Sequence, residues 1–318
     1  MANTDRGNQT AITEFILLAF GDLPKLQTFL FLLFLVIYIV TVAGNILIVA
    51  LVVADQQLHT PMYFFLGNLS FLETCYASTI LPRLLASLLT GERTISVHGC
   101  FAQYYVFGGL LAAECYLLSA MSYDRYLAIC KPLHYGMLMN GRLCLQLAAA
   151  SWISSFVVVG MFTYLISQLT FCGHSEIDHF FCEFTALLKL SCSDTYMVEV
   201  MAFIVASIDI FPPFAITLAS YSFIVVTILK IPTTTGKQKA FSTCSSHLIV
   251  VTSFYGSLMI VYVLPKTYKL RHLNKVFSLF YTVLNSLVNP LIYSLRNKEV
   301  KETLRKSLNK LMAFVGIW

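Results

Sequence analysis

The stretch SAMSYDRYLAICKPLHY, residues 119–135, ends a long apolar run with two adjacent charges and a proline. A charge inside a bilayer costs about 2.5–3.5 kcal/mol on insertion scales, so an acid and a base placed here indicate a function. At the C-terminal end of a helix the carboxylate of Asp124 is disfavoured, whereas Arg125 is favoured and can reach the membrane surface. Adjacent residues do not share a helix face, so each is expected to be available to another partner. We interpret the pair as a conformational switch or, alternatively, as an interfacial anchor.

The composition of the 318-residue chain indicates that lipid is its solvent. Hydrophobic residues make up 58% of the sequence and charged residues 12%, and the mean hydropathy is +0.75. Soluble domains carry about 25% charged residues, roughly twice this density. The net charge of +5 includes no basic block or stripe, so nucleic acid is not an expected partner. The polar N-terminal segment lacks the pattern of a removable signal peptide.

Seven apolar runs are long enough to cross a bilayer, which takes about 20 residues in a helix. They cover residues 26–53, 62–81, 99–129, 143–169, 200–229, 248–264 and 276–295. The predicted fold is an all-α membrane protein, a seven-transmembrane helix bundle within residues 25–295. Residues 1–24 would be an extracellular N-terminus, and residues 296–318 a short cytoplasmic amphipathic helix and tail.

Sequons and cysteines favour an extracellular N-terminus. Asn8-Gln9-Thr10 is a glycosylation sequon, usable only outside the cytoplasm, whereas the sequon at Asn68 lies inside a predicted span and should stay unmodified. Four of the nine cysteines cluster at the proposed outer ends, where disulfides persist. Spacing alone leaves three pairings open among them. These four are Cys100, Cys172, Cys182 and Cys192.

The basic residues do not all favour the same orientation of the chain in the membrane. The tail after residue 295 is basic and places Val300, Leu304 and Leu308 at four-residue spacing. This pattern predicts an amphipathic helix on an anionic inner leaflet, with a solvated tail as the alternative. Lys266, Lys269, Arg271 and Lys275 crowd one outer loop against the usual bias, and the role of that loop is left open.

Three carboxylic acids interrupt the spans and are candidate functional groups. Glu73 and Glu114 lie near mid-span in neighbouring helices. They could hold one cation or proton, or one or both could be protonated and hydrogen-bonded to Ser70, Ser119 or Asn285. Asp209 lies four residues before Pro213. It could anchor the polar group of a ligand or form a protonated contact between helices.

Several short motifs follow one another along almost the whole chain. They are Gly44-Asn45, LHTPMYFFLGNLS (58–70), MSYDRYLAIC (121–130), Ser220-Tyr221, KAFSTCSSH (239–247), FYG (254–256) and NPLIYSLRN (289–297). Each motif is weak alone, but the set in this order is specific. It resembles the motifs of rhodopsin-like G-protein-coupled receptors, and specifically those of odorant receptors of the tetrapod-type class II.

This resemblance implies a switch that activates a G protein. Asp124 would hold Arg125 at rest, and Arg125 would turn on activation toward tyrosines and the C-terminal helix of the G protein. The switch residues implied are Asp124, Arg125, Tyr126, Tyr221, His247, Asn289, Pro290 and Tyr293. The resemblance also implies two disulfides, Cys100–Cys182 and Cys172–Cys192.

The resemblance further implies a ligand pocket below the second outer loop. Its apolar, aromatic lining suits a small molecule. Glu73 and Glu114 match the mid-membrane position at which the family is expected to bind sodium, and no other cofactor is implied. The pocket positions are Phe107, Gly108, Leu111, Ala112, Phe162, Val205, Asp209, Tyr255, Leu258, Met259 and Tyr262.

The function implied is an odorant receptor that binds small volatile molecules and activates a stimulatory, olfactory-type heterotrimeric G protein, raising cyclic AMP. It would be a multi-pass plasma-membrane protein of olfactory sensory neuron cilia. The alternative is an ion-coupled transporter or channel using the intramembrane carboxylates, but an odd number of spans and the lack of an inverted repeat count against it. An opsin would need a lysine in span seven, which has none, and no hydrolase motif occurs. An enzyme is therefore not predicted.

Overall fold

The computed structural model of the chain describes residues 12–19, 24–172, 175–262, 271–296 and 298–315. The predicted glycosylation site Asn8 and the tip of the basic loop, residues 263–270, lie outside the described residues.

Helices account for most of the described chain, and three short strands precede or interrupt them. The strands are β1 (Glu14–Leu17), β2 (Thr94–Ser96) and β3 (Glu176–Ile177). The long helices are α1 (Pro24–Ala54), α2 (Pro61–Thr90), α3 (Val97–Cys130), α5 (Gly141–Ser167), α7 (Tyr196–Lys230) and α8 (Thr234–Tyr262). A seventh long segment joins α9 (Arg271–Leu279), a π-helical turn (Phe280–Leu284) and α10 (Asn285–Arg296). The remaining helices are α4 (Tyr135–Leu138), α6 (Phe184–Leu188) and α11 (Lys298–Val315).

The long helices correspond to the seven predicted spans. Among the described residues, five segments can cross a membrane by length and composition, and α8 makes six if its two parts, bent by 48°, form one span. The five are Lys25–Ala54, Val97–Cys130, Gly141–Ser167, Tyr196–Lys230 and Lys275–Tyr293. The remaining long helix, α2, buries much of its surface against α1 and α3, which explains how it accommodates Glu73.

Helix ends follow local signals that the hydropathy pattern did not contain. α2 begins with Pro61 in its first turn and continues beyond the predicted end at residue 81 to Gly91, whose φ of +75° closes the helix. α3 begins where the hydroxyl of Ser96 accepts a hydrogen bond from the amide of Gly99, 3.0 Å away. α8 begins 14 residues before the predicted start at residue 248, since the polar KAFSTC segment continues the helix.

The central element is α3, which packs against α2, α5, α7 and α8. Its membrane-spanning part is 67% buried inside the protein. Gly109 allows α5 to approach closely, because a Cβ at this position would lie 2.8 Å from the ring of Phe156. As a result, the charges at the end of α3 lie within the bundle, where Asp124 is 0% and Arg125 8% exposed.

A three-stranded sheet, which the sequence did not predict, covers one end of the bundle. β1 lies in the middle, antiparallel to β2 with Phe15 opposite Ile95, and parallel to β3 with Ile16 opposite Glu176. Phe15 is fully buried. We call this the sheet end. Strands of two to four residues that pair distant segments leave no periodic signal in the sequence, which explains the missed prediction.

Two disulfides hold the sheet end together. Cys100 in α3 is bonded to Cys182, and Cys172 to Cys192, with Cα atoms 5.5 and 5.9 Å apart. These are the pairs that the resemblance implies. The other five cysteines, all among the described residues, are free.

The opposite end, which we call the Arg125 end, carries α11. Val300 is buried and Leu304 packs against the core, as their spacing predicts, while the side chain of Leu308 lies outside the described part. The hydroxyl of Thr303 donates to Oδ2 of Asp55 across 2.9 Å, which attaches α11 to the turn between α1 and α2.

Candidate functional site

At the Arg125 end, the side chain of Arg125 turns back onto Asp124. Its Nε donates to Oδ2 of Asp124 across 2.9 Å, and Nη2 forms an ion pair with the same oxygen. The two side chains therefore pair with each other, although adjacent residues do not share a helix face. The arginine stem is long enough to bend across the angle between adjacent helix positions. The contact is the one that the resemblance implies.

Asp124 has a second partner, Tyr135, which was not predicted. The Tyr135 hydroxyl donates to Oδ1 of Asp124 across 2.7 Å. Burial, followed by the contact with the Asp124 carboxylate, raises the pKa of Tyr135 above its ordinary value, so the hydroxyl keeps its proton. Because Tyr135 begins α4, this bond couples the Asp124–Arg125 pair to the loop between α3 and α5.

The predicted switch residues of the other helices gather around this pair. The Tyr221 hydroxyl in α7 lies 2.6 Å from Nδ1 of His247 in α8, and their rings stack at 5.9 Å. Arg125 is near enough to Tyr221, His247 and Tyr293 to interact with all three electrostatically. The ring of Tyr126, the residue that follows Arg125, packs in the cluster of side chains between α3, α7 and α8. Four helices therefore bring predicted switch residues together at one site.

Asn289 and Pro290 lie further into the bundle. Asn289 donates from Nδ2 to Oε1 of the buried carboxyl of Glu73. The Pro290 ring packs against Gly44 of α1, where a Cβ would lie 3.3 Å from it. Both residues thus position α10 against α1 and α2.

The buried carboxyls Glu73 and Glu114 are close enough to interact electrostatically. The expected partner Asn285 is instead engaged with Ser253, whose hydroxyl donates to it across 2.6 Å. Oε2 of Glu73 and Oδ1 of Asn45 are buried and accept no hydrogen bond from the described residues. Hard cations take carboxylate and amide oxygens as ligands, so these two atoms are compatible with the ion that the resemblance implies.

Toward the sheet end, Phe107 belongs to a buried aromatic cluster. Its ring lies 4.6 Å from Phe181 of the loop before α6, 4.9 Å from Tyr76 of α2 and 6.3 Å from Tyr281 of the π turn. All four side chains are almost completely buried. We call Tyr76, Phe107, Phe181 and Tyr281 the roof cluster. It closes the bundle between α2, α3 and the seventh long segment, below the loop that precedes α6.

The remaining predicted pocket residues lie on α3 and on α5, α7 and α8, which pack around it. A Cβ at Gly108 would lie 3.0 Å from Val159 of α5, so this position lies in a contact between helices. The Tyr255 hydroxyl donates to the backbone carbonyl of Cys115 across 3.1 Å, which joins α8 to α3. Phe162 and Leu258 are buried and Leu111, Ala112, Val205 and Met259 partly buried, while the side chain of Tyr262 lies outside the described part.

Asp209 is partly buried between α7 and α3. Its Oδ1 accepts a hydrogen bond from the hydroxyl of Tyr116 across 2.8 Å. This is the kind of contact between helices that the sequence left open as the alternative to a ligand anchor. Because a carboxyl has two oxygens, the contact is compatible with either role.

Sequence reasoning missed Tyr135, Phe181, Tyr281 and Tyr116. Each makes its contact across segments that are distant in sequence or separated by a turn, so no periodic pattern marks it. Tyr135 alone had a signal, since it is a polar aromatic residue at the end of the stretch that carries Asp124 and Arg125.

Comparison with known proteins gives one consistent result. A family model described as olfactory receptor matches residues 34–310. Olfactory receptor 11A1 of Homo sapiens is 50% identical over 302 residues, 95% of each chain. Olfactory receptor 8U3 of Mus musculus is 46% identical over 303 residues, again 95% of each chain. Olfactory receptor 10A5 of Homo sapiens is 48% identical over 308 residues, 96% of this chain and 97% of the relative.

Proposed function

Because this chain belongs to the olfactory receptor family of G-protein-coupled receptors, we propose that it detects a small volatile odorant and activates a stimulatory, olfactory-type heterotrimeric G protein, raising cyclic AMP. The observation that carries the proposal is the closed Asp124–Arg125 pair beside Tyr221, His247 and Tyr293. The family is one of receptors and not of enzymes. Ion transport is not proposed, since the matching relatives are receptors.

The sheet end faces the outside in this proposal, and the Arg125 end faces the cytoplasm. Residues 1–24 are then the extracellular N-terminus with Asn8 glycosylated, residues 25–295 the transmembrane bundle, and residues 296–318 the cytoplasmic tail. The disulfides at the sheet end support this orientation, because disulfides persist in an oxidising compartment. The site of action is the plasma membrane of olfactory sensory neuron cilia.

The odorant binds between the roof cluster and the centre of the bundle. The side chains that support this position are apolar or aromatic and come from α3, α5, α7 and α8, with Asp209 as a polar anchor. A volatile molecule has few atoms, so the affinity available to it is limited, and micromolar binding is expected. The odorant shifts the receptor toward signalling only by its higher affinity for the active conformation.

On activation, Arg125 leaves Asp124 and contacts the C-terminal helix of the G protein. Tyr221, His247 and Tyr293 are placed to receive the guanidinium group, because each already lies within its electrostatic reach. Asn289 and Pro290 transmit the movement of α10, since they contact α2 and α1 respectively. Glu73 and Glu114 would hold a sodium ion, whose charge would favour the resting conformation.

The test uses the full-length receptor in cells that carry a cyclic-AMP reporter, exposed to a panel of volatile compounds. At least one compound is expected to raise cyclic AMP in wild-type cells, and Arg125→Ala is expected to abolish the response at equal surface expression. Arg142→Ala is the matched control, because Arg142 is an exposed arginine at the same end of the bundle. A normal response from Arg125→Ala would refute the switch.

A second measurement separates a failed ligand search from a wrong function. Purified receptor in lipid nanodiscs is mixed with a stimulatory heterotrimer, and nucleotide exchange is followed with and without the panel compounds. Acceleration of exchange that requires Arg125 supports the proposal. No acceleration with any compound would count against coupling to this G protein.

A further inference from the structure

Lys275 belongs to the basic outer loop whose role the sequence left open, and the structure gives its side chain two partners. Its Nζ donates to the backbone carbonyl of Ala19 across 3.1 Å and forms an ion pair with the carboxylate of Asp178. The Lys275 and Asp178 side chains are only 17% and 31% exposed. One ammonium group thus joins three segments that are distant in sequence.

Both partners lie where a strand of the sheet ends. Ala19 follows β1 and Asp178 follows β3 directly. The same two stretches are joined by backbone hydrogen bonds, from the amide of Leu18 to the carbonyl of Ile177 across 2.9 Å and from the amide of Ala19 to the carbonyl of His179 across 3.1 Å. Lys275 therefore ties the ends of β1 and β3 to the helix that begins the seventh long segment.

The segment that Lys275 holds leads directly to the roof cluster. Three residues after Asp178 comes Phe181, whose ring packs on Phe107, and the next residue, Cys182, is bonded to α3. Phe107 also packs on Tyr281, which lies six residues after Lys275 on the same long segment. The contacts form a closed ring through α3, the loop and the seventh segment.

The sheet alone holds this segment weakly. β3 has two residues, and such a short pairing is marginal unless other contacts support it. An exposed ion pair would contribute little. The pair of Lys275 with Asp178 differs from an exposed ion pair, because Lys275 is largely buried and also donates to a backbone carbonyl. A hydrogen bond from a charged donor is stronger than one between neutral groups.

We propose that Lys275 is a positioning residue for the odorant site, which holds residues 178–181 so that Phe181 stays on Phe107 and thereby sets how fast an odorant leaves. The inference rests on the proposed function, in which the odorant lies beneath the roof cluster. Lys275 itself does not touch the odorant. Its loss is expected to loosen the roof and shorten the time for which an odorant stays bound.

The first experiment needs no odorant. Hydrogen exchange is measured on the full-length receptor in nanodiscs for wild type, Lys275→Met and Lys275→Arg. Lys275→Met is expected to raise the exchange of the Leu18 and Ala19 amides on the order of tenfold, whereas the arginine variant keeps the donor and stays near wild type. Lys189→Met, which changes an exposed lysine in the loop that carries Asp178, is the control. Unchanged exchange in Lys275→Met would overturn the proposal.

The second experiment measures release, with the volatile aldehyde or alcohol that activates wild type most strongly as the probe. After washout, the cyclic-AMP response of Lys275→Met is expected to decay on the order of tenfold faster than that of wild type at equal surface expression. Asp178→Asn removes the other half of the ion pair, and this variant replaces Lys275→Met in the measurement if the lysine variant does not reach the surface. Equal decay despite faster exchange would show that the roof does not control release.

The two experiments separate this inference from the function on which it rests. A wild-type receptor that responds to none of the volatile compounds would contradict the proposed function, and the exchange measurement would still decide whether Lys275 holds the roof.

Discussion

The hydroxyl of Tyr135 donates a hydrogen bond to Oδ1 of Asp124 across 2.7 Å, while Oδ2 of the same carboxylate holds Arg125. Asp124 is 0% exposed, so water cannot replace a lost donor without a rearrangement. Tyr135 thus stabilises the conformation in which Arg125 is held, although it lies outside the helix that carries the pair.

Tyr135→Phe is expected to raise basal signalling. A hydrogen bond to a charged group contributes about 1.5–3 kcal/mol, and its loss raises the free energy of the conformation that holds Arg125. Since about 1.4 kcal/mol corresponds to a tenfold change in an equilibrium constant, basal cyclic AMP should increase about tenfold or more at equal surface expression. Tyr123→Phe is the control, since Tyr123 is an exposed tyrosine at the same end of α3. Equal basal signals in both variants would show that the bond does not bias the switch.

Gly109→Ala is expected to destabilise the bundle. Its Cβ would lie 2.8 Å from the Phe156 ring, so α3 and α5 must separate or the ring must shift. Overpacking of this kind costs about 1–3 kcal/mol, which should lower the midpoint of thermal unfolding of the purified full-length receptor. At Gly256 a Cβ meets nothing within 4 Å, so Gly256→Ala should not lower the midpoint. Equal midpoints for the two variants would contradict the close approach of α3 and α5.

Asp209→Asn tests whether this carboxyl touches the odorant or only Tyr116. If it anchors the ligand, the order of potency among volatile amines, alcohols and hydrocarbons should change in a cyclic-AMP assay. Tyr116→Phe removes the contact between the helices without touching the carboxyl, so it should leave that order unchanged. An unchanged order in both variants would assign Asp209 to the contact with Tyr116 alone.

Glu114→Gln tests the sodium site. Replacement of sodium by choline at constant ionic strength should raise basal nucleotide exchange in wild type, because the proposed ion would favour the resting conformation. Glu114→Gln should start from a higher basal rate and respond less to sodium, while Glu92→Gln, in an exposed loop, should behave as wild type. Basal exchange that ignores both sodium and the Glu114 substitution would remove the ion from the mechanism.

Much of the fold could be predicted because a bilayer imposes a length on each apolar run. The seven runs correspond to the long helices. The polar start of α8 shows that hydropathy does not mark where a helix begins when its first turns are polar. KAFSTC continues the helix beyond the apolar run because backbone hydrogen bonds, unlike burial, do not require apolar side chains.

The candidate site could be predicted only in part. Arg125 and Glu73 stood out because charges in an apolar run are costly. Their partners could not be predicted in the same way. Glu73 is hydrogen-bonded to Asn289 and not to Asn285, because the approach of α2 and α10 decides which amide lies next to the carboxyl. Lys275 was visible as one basic residue among four, and only the fold showed its contact with Asp178.

By itself, the amino-acid sequence determined how many times the chain crosses the membrane, which residues carry charge into it and which motifs it shares with odorant receptors. These properties follow from local composition and order along the chain. Only the tertiary structure decided that Tyr135 completes the Asp124 site, that Phe181 and Tyr281 meet at Phe107, and that β1 lies between β2 and β3. Such contacts depend on how the helices approach one another, and that approach is set by packing across the whole bundle.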